Sequence, residues 1–118
     1  MPEHAHVLIR FRETGLLPLF KQEWKRQSSV ALVQYFTSSN NPVLKYLTDR
    51  EGHHQIWIPK QFDFNVFSRK KALEKLNSMH HNPVERELVN RPTDWVFSSA
   101  AWYESGRSVA VKLTDIDA

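Results

Sequence analysis

Asn77-Ser78-Met79-His80-His81-Asn82-Pro83-Val84-Glu85-Arg86-Glu87-Leu88-Val89, continued by Arg91-Pro92-Thr93-Asp94-Trp95-Val96-Phe97-Ser98-Ser99, is the stretch around which the chain is organised. Its spacing predicts a helix that runs into Asn82 and stops at Pro83, because the residue before a proline is pushed out of the α region. Ser68 is the predicted N-cap of that helix, which spans 69–81, since a serine hydroxyl can accept from a free amide of the first turn. Leu73, Leu76, Met79 and His80 recur at helical spacing and are its inward candidates. A short second helix over about 84–89 and a loop then lead to an aromatic segment. There Trp95 and Phe97, two residues apart, can share a face.

Moving towards the start of the chain, Phe62, Phe64 and Val66 alternate as in a strand, and residues 55–59 read as a second extended piece. Pro59 makes an edge or a break between them, because it cannot donate to a ladder. Residues 49–54 form a polar turn in which His53 and His54 face solvent, and Val43–Leu47 fits a helical turn or a short strand equally. Residues 37–42 are a loop by composition. From Leu16 to about Phe36 the pattern is helical, with Pro18 in the first turn. Leu17, Phe20, Trp24, Ala31 and Tyr35 make one stripe with Ser28 in its middle, which places Tyr35 in the core. His4 to Phe11 reads as a strand at the very start, and residues 108–113 as a late one.

The 118 residues suffice for one small domain. A hydrophobic content of 41% with 12% aromatics excludes a disordered chain as the main reading. No apolar run approaches bilayer length, and Met1-Pro2-Glu3-His4 is not a secretory signal. The absence of cysteine removes disulfides and thiolate metal sites and fits a reducing cytoplasm. A net charge of +3 permits nucleic-acid binding without demanding it.

Two residue sets can carry chemistry. His4 and His6 point to one side of a strand, where two imidazoles can chelate one cation; the alternative is a pair of surface histidines. Asn82 lies four residues after Ser78 on the same helical face. An asparagine before proline is also a common helix terminator and local cap. Lys21, Lys25 and Arg26 flank the first stripe, and Arg69, Lys70 and Lys71 open the later helix; these can contact phosphates or simply be solvated. Adjacent His80 and His81 face about 100° apart and cannot easily grip one ion; His80 is expected inside and His81 exposed.

The opening stretch resembles the signature of the REP-associated tyrosine transposases of the HUH superfamily, approximately Tyr-Ile/Met-His-x-Asn-Pro-Val-x-x-Gly-Leu-Val-x-x-Pro-x-Asp-Trp-x-x-Ser-Ser. Here it reads Ser78-Met79-His80-His81-Asn82-Pro83-Val84, then Leu88-Val89, Pro92, Asp94-Trp95 and Ser98-Ser99. Met1-Pro2-Glu3-His4-Ala5-His6-Val7-Leu8-Ile9 is similar to the family's Met-Pro-x-His-hydrophobic-His-hydrophobic-Leu-Ile. Trp57-Ile58-Pro59-Lys60-Gln61-Phe62-Asp63 looks like its Trp-x-x-Arg-Phe/Tyr-Tyr-Asp, with the arginine and second aromatic not cleanly kept. For Trp57 and Asp63, a core tryptophan and an aspartate bonded to backbone are the alternative.

The resemblance implies that His4 and His6 are metal ligands, with Asn82 as a third, for a divalent cation, Mg or Mn. It implies a two-step transesterification on single-stranded or hairpin DNA, in which a tyrosine attacks and a 5′-phosphotyrosine forms. The partner it implies is DNA, with members acting as monomers or homodimers, and no membrane. The family tyrosine is Ser78 here. A phenol, with a pKa of about 10, is both nucleophile and leaving group, whereas the shorter, far less acidic serine is expected to leave cleavage impaired. Tyr35, Tyr46 and Tyr103 occupy no matching position. The fold implied is α+β: a partial ferredoxin-like arrangement over 1–104, with a small antiparallel sheet and two main helices on one face, then a tail over 105–118. Members carry a strand and a helix ahead of the histidine pair; their lack here is expected to reflect a late-called start codon or a decayed gene.

Overall fold

The computed structural model describes residues 1–59 and 61–117; Lys60, within the Trp57–Asp63 segment, and Ala118 lie outside them. Among the described residues the elements are α1 (Leu17–Ser38), α2 (Val43–Tyr46), α3 (Arg69–Glu85), a 3-10 turn over Pro92–Asp94, and α4 (Ala100–Ser105). The α+β, ferredoxin-like expectation is overturned, because these residues contain no β-strand and no sheet. Residues 4–11, 62–67 and 108–113 have no regular secondary structure, and the pairing found is an isolated antiparallel bridge between Thr48 and His54. The physical reason is that alternation marks an extended chain with two unlike faces, while a strand also needs a neighbour. None of the three stretches pairs with another. Phe62 and Phe64 also stay exposed, so their shared face is not a core face.

The chain divides into two compact units, residues 10–63 and residues 1–9 with 64–118. In the first, α1 starts with Pro18 where a missing amide costs nothing. Its inner side carries an edge-to-face aromatic series: Phe11 to Phe20 at 5.5 Å, Phe20 to Trp24 at 5.2 Å, and Trp24 to Trp57 at 6.3 Å. Trp57 Nε1 donates to Ser28 Oγ at 2.9 Å, and that hydroxyl donates to the Trp24 carbonyl at 2.7 Å. Beyond Ser28 the inner positions are Leu32, Val33 and Phe36, whereas Ala31 and Tyr35 are exposed. The placement of Tyr35 in the core is therefore corrected. The apolar side drifts round the helix because α2 packs against α1 and the Asn41 amide bonds back to the Phe36 carbonyl. Asn40 takes the left-handed conformation at this reversal (φ 50°), which asparagine tolerates. Asn41 Oδ1 then accepts from the Val43 amide and starts α2, resolving the ambiguity over 43–47 as helix.

In the second unit Ser68 caps α3 as predicted, its hydroxyl accepting from the Lys71 amide at 3.1 Å. α3 does not stop at Pro83. It runs through to Glu85, with Leu76, His80 and Pro83 buried. Proline removes one helical hydrogen bond and crowds the carbonyl four residues back, but here only the last turn bears that cost. The Arg86 amide still reaches the Asn82 carbonyl, and the Leu88 amide closes on the Pro83 carbonyl. Glu87, with φ 57°, ends the helix instead, so the predicted helix over 84–89 is the end of α3 and its closing turn. α3 and α4 both pack on the 3-10 turn. Ala100 and Ala101 are buried beneath it, and Gly106 ends α4 in the left-handed region with its amide on the Trp102 carbonyl. No described helix is long and apolar enough to cross a membrane.

Candidate functional site

The residues quoted from the signature gather at the C-terminal half of α3 and the segment that returns over it. His80 is buried, and its Nε2 lies 2.7 Å from Ser99 Oγ; its ring tilts against Tyr103 at 5.7 Å. Burial, and then the neighbouring His81, hold this imidazole below its ordinary pKa. His81 is exposed, with Nδ1 at 3.0 Å from the Asn77 carbonyl. The Trp95 amide closes the 3-10 turn on the Pro92 carbonyl, the Trp95 ring meets Phe97 edge-on at 6.3 Å, and Ser98 Oγ accepts from the Ala100 amide at the start of α4. Much of the signature is thus explained as packing and capping in one small unit.

Ser78 is exposed on α3, and Asn82, one turn later, is half-buried. An exposed serine hydroxyl to which no general base is bonded among the described residues is not an activated nucleophile. Arg86 donates to the Glu3 carboxylate, joining the histidine segment to the turn of α3 that follows Asn82. The same bond holds the Glu3 carboxyl below its usual range. Sequence reasoning misses this pair, because nothing local relates two residues 83 positions apart.

His4 and His6 stack with ring centroids 6.1 Å apart and planes 28° apart, and His4 Nδ1 lies 3.3 Å from Glu3 Oε1. Partial burial, and then the charge of His4, push the His6 imidazole below its ordinary pKa, which favours the neutral, ligating form. Two neighbouring imidazoles are a fitting pair of nitrogen donors. Among the described residues no three His, Cys, Asp or Glu side chains gather to hold an ion. A cation held by this pair would need its remaining donors from other groups, such as a carboxamide or water.

The cationic candidates are mostly engaged. Lys21 Nζ bonds Asp63 at 2.8 Å, which gives Asp63 a side-chain partner rather than the backbone one of the alternative reading. Lys25 Nζ reaches the Ile58 carbonyl at 3.3 Å. Arg26 pairs with Glu23 at 2.8 Å, driving that carboxyl down to about 2. Arg69 pairs with Asp117 and Lys71 with Glu74, both at 2.9 Å. Lys70 makes no such pair among the described residues. Exposed ion pairs of this kind are worth little, being screened by solvent and salt. His53 and His54 are exposed, as expected. Compared with family models, curated proteins and solved structures, the chain matches none.

Proposed function

We propose that this is a transposase-family protein that binds single-stranded or hairpin DNA and is impaired in the strand-cleavage step of DNA transposition. The observation that carries the reading is the ordered run from Ser78 to Ser99, together with the His4-x-His6 motif near the start. The Arg86–Glu3 bond supports it, because it draws the two motifs to one end of α3. On this reading His4 and His6 hold a Mg²⁺ or Mn²⁺ ion with Asn82, and the ion, when bound, polarises the scissile phosphodiester. Lys21, Lys25, Arg26, Arg69 and Lys70 supply cations for the DNA backbone. A cytoplasmic protein acting as a monomer or homodimer belongs to the same proposal.

The test is covalent capture. Purified protein is incubated with Mn²⁺ and labelled single-stranded hairpin DNA, and adducts are resolved on a denaturing gel. Wild type is expected to give none, and Ser78→Tyr to give a covalent adduct that His4→Ala abolishes. An adduct in wild type overturns the impairment; none in Ser78→Tyr removes the cleavage lineage. A second reading, a non-catalytic DNA-binding remnant, is favoured by Ser78 itself. It requires that wild type bind DNA without cutting it, and that affinity fall steeply with salt as displaced counterions are released. Salt-indifferent or absent binding sinks it.

A further inference from the structure

Phe64 and Phe67 are large apolar side chains left in solvent, 63% and 91% exposed. They lie in a stretch without regular structure that leads directly into α3. Two exposed phenylalanines three residues apart cost solubility, and neither lies in a packed core. Around them in sequence, cations (Arg69, Lys70, Lys71 and Lys75) outnumber acids (Asp63 and Glu74). Lys75 Nζ sits 4.5 Å above the Phe64 ring. Phe67 is followed, after the Ser68 cap, by Arg69, Lys70 and Lys71, and the first turn of α3 holds no acidic residue. Of these cations Lys71 and Arg69 are paired with Glu74 and Asp117; Lys75 makes no direct ion pair among the described residues but feels the Glu74 carboxylate, and Lys70 makes none. Exposed rings with flanking positive charge are complementary to one kind of ligand above others: unpaired bases on a phosphate backbone. Every base has a π-face that stacks on an aromatic ring, and lysine and arginine beside the ring take the phosphates. A duplex offers the phosphates but keeps its bases stacked on each other.

We infer that Phe64 and Phe67, with Lys70 and Lys75, form a stacking platform for unpaired bases of single-stranded nucleic acid. This rests on the DNA-binding reading and adds to it the part of the DNA that is recognised. Phe67 is the outer position, fully open to a base. Phe64 is braced from one side by Lys75 and presents its other face. The platform prefers single strands to duplex of the same length, and it tolerates sequence because stacking reads no base edges.

Fluorescence anisotropy of labelled oligothymidine, with unlabelled duplex as competitor, tests the platform using the full chain. Wild type should bind the single strand more tightly than the duplex. Phe67→Leu and Phe64→Leu, which keep apolarity and lose the π-face, should each weaken single-strand binding about tenfold and leave duplex binding unchanged. Phe67→Tyr should retain wild-type affinity. Both side chains are exposed, and unchanged circular dichroism confirms that the variants fold. If the leucine variants bind single strands as wild type does, the platform is wrong while DNA binding stands. The platform is equally excluded if they change only the mass in sedimentation, because the phenylalanines then serve self-association. If wild type binds neither form, the DNA reading falls and the platform with it.

Discussion

Ser99 offers one hydroxyl to His80 across 19 residues of sequence, and the burial of that imidazole makes the second unit sensitive to acid. Burial lowers the His80 pKa from its ordinary 6.5, so the native state resists a proton that the unfolded chain accepts freely. The contribution to stability is complete above pH 6.5 and is lost as pH falls through the lower native pKa. Thermal stability should therefore fall as pH drops below 6.5, and His80→Gln should flatten that fall without abolishing it, since His6 is depressed in the same direction. A variant whose midpoint follows wild type at every pH would overturn the assignment. Ser99→Ala leaves a buried ring nitrogen without its partner and should cost about 1–2 kcal/mol in denaturant unfolding. At this scale helical spacing shows His80 facing inward, because His80 shares a stripe with Leu73 and Leu76. It cannot show Ser99 as the partner, since the loop that returns it over α3 leaves no periodic trace.

The helices are legible where the signal is local. Ser68 and the apolar spacing that follows it define α3 within a few residues, and Pro18 marks the first turn of α1. Ser68→Ala should cost about 1 kcal/mol, read as a shift of the urea midpoint at constant slope; no shift would mean that the Lys71 amide finds another acceptor. The end of α3 escapes the local pattern because a proline near a C-terminus is weighed against buried contact as well as backbone bonding, and the Pro83 ring is buried. The strands are illegible for a different reason. Alternation over 4–11 and 62–66 specifies two faces, but pairing is a long-range event that no local pattern encodes. Far-UV circular dichroism should accordingly show helix without a sheet component, and a clear β signature from the folded chain would restore the sheet. The same limit applies to the candidate site. The His4-x-His6 and Ser78-to-Asn82 spacings can be read directly, but the Arg86–Glu3 bond that relates them cannot.

At the scale of the molecule, burial is uneven between the two units. The buried apolar side chains among the described residues are Leu76, Pro83, Ala100 and Ala101, all in the unit of α3 and α4. α1 buries none of its residues fully, and Leu19, Val30 and Tyr35 along it stand in water. Its hold on its own unit comes from the aromatic series Phe11–Phe20–Trp24–Trp57, the bonds Trp57–Ser28, Lys21–Asp63 and Lys25–Ile58, and the packing of α2, contacts that are half-solvated or exposed. Local opening free energy follows buried contact, so the two units should not share one stability. Native-state amide exchange should find the amides of Leu76, Met79 and His80 in α3 protected well beyond those of Leu32, Val33 and Phe36 in α1. Ser28→Ala removes the acceptor of the Trp57 indole and should accelerate exchange through α1 severalfold while leaving α3 unchanged. Equal protection in both helices, or a Ser28→Ala effect that spreads equally into α3, would mean that the chain opens as one cooperative body and that burial at the level of single residues does not govern where it yields.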